Sequence, residues 1–110
     1  MTKVKVFAGA CGFTSVIQVQ SGGQTTVKVR IISACTMLRS MNKDIAELDW
    51  KKGIFDKITE SVIYRSAGEH IKHTDCPVPC AIIKAIQVEI GAAVPKDVKI
   101  RIQKFDNKLV

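Results

Sequence analysis

Several scarcities in the sequence each exclude a class of protein. No apolar run is long enough to cross a bilayer. The longest candidate, residues 81–94, is interrupted by Lys84, Gln87 and Glu89 and falls short of the roughly 20 residues a spanning helix needs. Glycine numbers only 7 and no heptad is sustained, which excludes collagen-like and coiled-coil chains. There is no P-loop, nucleophile elbow, HExxH or GxGxxG spacing, so no nucleotide or hydrolase fingerprint is present. Ala8-Gly9-Ala10-Cys11 faintly resembles a lipoprotein cleavage box. However, only Val6 and Phe7 could begin its apolar region, where roughly 7–15 residues are required. The chain is therefore expected to be cytoplasmic, without membrane association.

What is present is a globular composition. With 46% hydrophobic and 25% charged residues the chain is not a disordered one, and 110 residues suit a single domain over 1–110. The net charge is +7 and it is unevenly placed. Residues 1–33 carry four basic groups and no acidic one, residues 34–94 carry eight of each, and residues 95–110 carry five basic and two acidic.

Hydrophobic periodicity divides the chain. Val4 and Val6, then Ile17 and Val19, then Val27, Val29 and Ile31 alternate with polar neighbours, as half-buried strands do. Ser21-Gly22-Gly23-Gln24 joins the second and third strands as a hairpin. Val98, Ile100 and Ile102 predict a fourth strand near the C-terminus. Between them, Ser33 suits the N-cap of a helix with Cys35, Leu38, Met41, Ile45 and Leu48 on one stripe. A second helix is expected from about Ile54, with Phe55, Ile58 and Val62 on one face, ending near Gly68. A third is expected from about Pro77, with Ile82, Ile83, Ile86 and Ile90, ending at Gly91. The expected fold is α+β: a two-layer sandwich of order βββαααβ, with a four-stranded mixed sheet and helices on one face.

This order has a chemical consequence. Short connections make successive elements antiparallel, so the ends of the first and third strands and the start of the third helix fall at one edge. Cys11, Cys35, His73, Cys76 and Cys80 should gather there. The densest motif is residues 73–80, His-Thr-Asp-Cys-Pro-Val-Pro-Cys. Its prolines suit a helix start, and the positive helix end should favour a thiolate at Cys76. Four cysteines in a cytosolic chain point to thiols or ligands rather than disulfides. Zinc would accept a Cys/His set of this kind, and an iron–sulfur cluster would accept the thiolates. The expected function is binding of a transition metal or iron–sulfur cluster, or thiol redox chemistry at Cys76. Against it, the CxxxC spacing is not a zinc knuckle, and free cysteines such as Cys35 and Cys80 often serve as buried small hydrophobes. No catalytic residue is assigned. His70 reads as a surface or helix-end residue, and Asp44, Glu47 and Asp49 as an exposed helix face.

The alternative is a non-catalytic binding module. Lys3, Lys5, Lys28, Arg30, Lys99 and Arg101 are expected to project from the uncovered sheet face, where nucleic acid or an acidic protein could bind. Nucleic acid is the less favoured partner, because the strands lack stacking aromatics. A structural subunit without a site and a homo-oligomer are both compatible with the chain.

Cys11-Gly12-Phe13-Thr14, His73-x-x-Cys76-Pro77-Val78-Pro79, Ile83-Lys84-Ala85 and Pro95-x-Asp97-Val98 together resemble a small uncharacterised prokaryotic family. That family has no established activity, so the resemblance implies no mechanism. It does imply that Cys11, His73 and Cys76 belong to the family's signature, and that Cys80 is a less typical feature.

Overall fold

A four-stranded meander forms one layer of the protein. In the computed structural model, which describes residues 1–106, its strands are β1 (Thr2–Phe7), β2 (Thr14–Ser21), β3 (Thr26–Ile32) and β4 (Glu47–Asp49). They lie in the order β1-β2-β3-β4 and every neighbouring pair is antiparallel. Alternation decides which face is covered. Ile17, Val19, Val27, Val29 and Ile31 are buried, while Lys3, Lys5, Lys28 and Arg30 are exposed. The β2–β3 hairpin closes where expected: Gly22 N–H donates to Thr26 C=O at 2.9 Å. Gly23 supplies a φ of +119° in that turn, a region open to glycine alone among common residues.

The second layer contains α1 (Thr36–Ser40), α2 (Asn42–Ile45), α3 (Val62–His70) and α4 (Val78–Glu89). The α4 helix packs across β1 and β2, and α2 packs on β3. Val78, Ile82, Ala85 and Ile86 of α4 join the strand residues in one core with Leu38, Met41, Ile45, Ile54 and Ile63. Among the described residues no helix is long and apolar enough to cross a membrane.

The α+β class, the four-stranded sheet and the helices packed against it agree with the sequence reading, but the fourth strand is a different segment. Residues 97–103 are not in the sheet, and every residue from Gly91 to Asp106 is exposed. The β4 strand instead forms within the stripe assigned to the first helix, and it makes the sheet antiparallel throughout rather than mixed. The competing force is the unsatisfied edge of β3. Thr26, Val27 and Lys28 pair with Asp49, Leu48 and Glu47, and beyond β4 Val29 N–H donates to Ala46 C=O at 3.1 Å. Asn42 then completes the edge with its side-chain amide. Its Oδ1 accepts from Ile31 N–H at 2.8 Å and its Nδ2 donates to Ile31 C=O at 3.0 Å. The first helix therefore breaks into α1 and α2. The second begins later than expected, leaving Phe55 and Ile58 exposed, whereas the third starts at the Pro77–Pro79 signal as expected.

Glu89 fixes the other end of the sandwich. Its carboxylate accepts from Thr2 Oγ1 at 2.8 Å, Ser21 N–H at 2.9 Å and Ser21 Oγ at 3.1 Å. Burial alone would raise its pKa. The hydrogen bonds from Ser21 and Thr2 prevail and hold it below the ordinary 4.5. A carboxylate depressed in the folded state stabilises the fold above its unfolded pKa, and that stability is lost as pH falls through the folded value. Glu89→Gln is therefore expected to flatten the acid limb of stability below pH 4.5, as read from denaturation midpoints across a pH series. Asn42→Ala should cost about 1–3 kcal/mol in urea unfolding, because two backbone groups of β3 lose their partner.

Candidate functional site: a thiol corner

Three cysteines reach one end of the sandwich by three routes. Cys11 closes a 3₁₀ turn, Gly9–Cys11, between β1 and β2. Gly9 and Gly12 both adopt positive φ there, and the loop is pinned by Gly12 N–H to Gly9 C=O at 2.9 Å and Ala8 N–H to Phe13 C=O at 3.0 Å. Cys35 caps α1 just after β3. Its N–H donates to Ser33 Oγ at 3.1 Å, and Ser33 Oγ accepts from buried Ser15 at 2.8 Å, which ties this turn to β2. Cys76 lies two residues before α4, with its N–H donating to His73 C=O at 3.2 Å.

At this end of the sandwich the Cys76 thiol lies in the electrostatic field of the other two. Burial pushes the Cys76 thiol above its ordinary pKa, and Cys35, Cys11 and Asp75 each add to the rise. A hydrogen bond from the Val78 N–H at the start of α4 opposes it. The expected thiolate is thus overruled. One N–H of the helix end does act on the sulfur, but desolvation of the charged form outweighs it. Cys35 and Cys76 also pack against the common core, whereas Cys11 is exposed. The three sulfurs are not all within 4.8 Å of one another; among the described residues only Asp44, Glu69 and His70 form such a group.

The remaining candidates separate. Cys80 is exposed, so it is not the buried hydrophobe of the competing sequence reading. It lies beside Tyr64 of α3, whose hydroxyl pKa is raised by burial and by Cys80. Cys76 lies two residues ahead of α4, whereas Cys80 lies within it. His73 is exposed in the loop leading to Cys76. Of the six basic residues expected on the open sheet face, Lys3, Lys5, Lys28 and Arg30 are exposed there. Lys99 and Arg101 lie outside the sheet, because their segment forms no strand. Register also puts Glu47 opposite Lys28, and this dilutes the positive face.

One cluster was not visible in the sequence. Asp44 Oδ2 accepts from Ser66 Oγ at 2.8 Å and pairs with His70 Nε2 at 2.8 Å. Ser66 and then His70 hold the Asp44 carboxyl below its ordinary pKa. The Asp44 oxygen is thereby engaged twice, as a strut between α2 and α3. Adjacent Glu69–His70 was the only local signal. The partner, 26 positions away, is supplied by helix packing.

A family profile described as a family of unknown function (DUF6951) matches residues 2–102. The chain belongs to this family. Membership agrees with the resemblance drawn from the sequence at the level of an uncharacterised family, and it covers the thiol corner, the Asp44 strut and most of the C-terminal segment. No curated protein matches the chain, and no solved structure does.

The alkylation rate of Cys76 followed against pH should rise with a midpoint above the ordinary thiol value. In the Cys11→Ser/Cys35→Ser protein the midpoint should move down, because the repulsion these two residues add to the effect of burial is gone. Peptide mass mapping of the alkylated chain reads both.

Proposed function

We propose that the corner formed by Cys11, Cys35 and Cys76 binds a thiophilic metal ion, with zinc the simplest occupant. The observation that supports this reading is the convergence of three thiols from segments otherwise remote in sequence, one of them kept protonated by burial and by the other two. A cation reverses that penalty. Coordinated thiols deprotonate, and the mutual repulsion that raises Cys76 becomes attraction to the metal. The same facts count against thiol redox chemistry at Cys76, because the thiolate is the nucleophile and a raised pKa depletes it at neutral pH. His73, in the exposed loop before Cys76, is the nearest candidate in sequence for a fourth ligand. Cys80, beside Tyr64, is not part of the set.

The three sulfurs are not all within 4.8 Å of one another, so binding would have to draw them together. On this reading Cys11, His73 and Cys76 are the residues that mark the family, and the family's common property is a metal-stabilised corner. The basic face, reduced to four residues and opposed by Glu47, supports a nucleic-acid reading less well.

Titration of the reduced protein with Zn²⁺ and Co²⁺ tests the proposal. One ion per chain is expected, with thiolate-to-cobalt charge-transfer absorption. Cys76→Ser should weaken binding by more than about tenfold, and Cys80→Ser should leave it unchanged. An equal loss in both variants, or none in either, would reject the site. Iron and labile sulfide in anaerobically purified protein would replace zinc by a cluster on the same thiols.

A further inference from the structure

The C-terminal segment presents a strand's worth of apolar side chains to nothing. From Asp97 to Gln103 the sequence alternates Val98, Ile100 and Ile102 with Lys99 and Arg101, the pattern of a strand with one buried face. Yet Val98 is 58%, Ile100 75% and Ile102 89% exposed. The segment also leaves the body. Ala92 and Ala93 N–H still donate to Gln87 C=O, but from Val94 onward the only backbone hydrogen bond outside helices and strands, among the described residues, is local, from Lys96 N–H to Val94 C=O. The principal extents are 53 × 29 × 24 Å. An eight-residue strand spans only about 27 Å and a twelve-residue helix about 18 Å, so the long dimension comes from this segment.

The sheet has a matching vacancy. The two edges are treated differently: β3 is covered by β4, Ala46 and Asn42, whereas among the described residues β1 pairs on one side only, with β2. Along that free edge the inward residues Val4 and Val6 are only half-buried against the core, with α4 packed beneath them. The free edge is six residues long and the free segment seven, and each has three inward positions. The family profile extends through Ile102, so the segment belongs to the same unit as the sheet.

We propose that residues 97–103 add as a strand to the β1 edge of a second copy of this chain, and that the exchange is reciprocal and forms a homodimer. Main-chain hydrogen bonds would fill the β1 edge, and Val98, Ile100 and Ile102 would continue the inner row begun by Val4 and Val6. The second copy is the occupant because the chain after Gly91 projects away from its own sheet, while every copy carries an identical open edge. The exchange also sets Lys99 and Arg101 on the open face of the partner, beside Lys3 and Lys5. The proposal is independent of metal binding.

Sedimentation equilibrium of the full chain, with hydrogen exchange on the same samples, tests it. A dimer is expected, with the amides of Val98–Ile102 exchanging at least tenfold more slowly than an unstructured segment. Ile100→Asp should raise the dimer dissociation constant by roughly a hundredfold or more. Truncation after Pro95 should give a monomer that still unfolds cooperatively, since among the described residues the segment makes no backbone hydrogen bond to its own sheet. Three results would overturn the proposal: a monomer with fast exchange in the segment, a monomer with slow exchange (closure onto its own β1), or a dimer that survives both changes.

Discussion

The seam between the inner face of the β1–β2 pair and α4 is the constraint on which the remaining geometry depends. Ile17 and Val19 on one side and Ile82, Ala85 and Ile86 on the other are 0% exposed, and burying such side chains is the main favourable term in folding a chain of this size. Burial is non-directional, however, and does not say which way α4 runs. Glu89 decides that. By accepting hydrogen bonds from Thr2 and Ser21 it anchors the C-terminal end of α4 where β1 begins and β2 ends. The N-terminal end, with Cys76, is thereby carried to the end of the sheet where Cys11 and Cys35 lie.

The thiol corner is thus a product of polarity more than of local motif. No two of its three cysteines are near in sequence, and of the pair that is near, Cys80 lies within α4 whereas Cys76 lies ahead of the first helical turn. The Asp44–His70 strut between α2 and α3 arises in the same way. In both cases a polar constellation is assembled by elements that apolar burial has already brought together.

The edges of the sheet show a second principle. A strand edge is a row of unpaired donors and acceptors that must find partners or water. On the β3 side the chain spends a broken helix to satisfy it, with three residues of β4, one carbonyl and one asparagine amide. On the β1 side none of the described residues of the same copy does so, and two exposed lysines, Lys3 and Lys5, flank the opening. That asymmetry gives the apolar C-terminal segment its significance.

Period-two alternation by itself determined β1, β2, β3 and their hairpin, and the Pro77–Pro79 start determined α4, because these signals are local and the covered face needs only one row of apolar residues. The α+β class and the grouping of Cys11, Cys35 and Cys76 follow from that order of elements. Only the tertiary structure decided the rest. Leu48 fits a helical stripe and a strand equally well, and the open edge of β3 made it a strand. Val98, Ile100 and Ile102 read as a strand, but a strand requires a partner edge, and within one copy their segment takes none. The helix end alone predicts a lowered pKa for Cys76, whereas its burial and the repulsion from two other thiols are long-range effects that no spacing records.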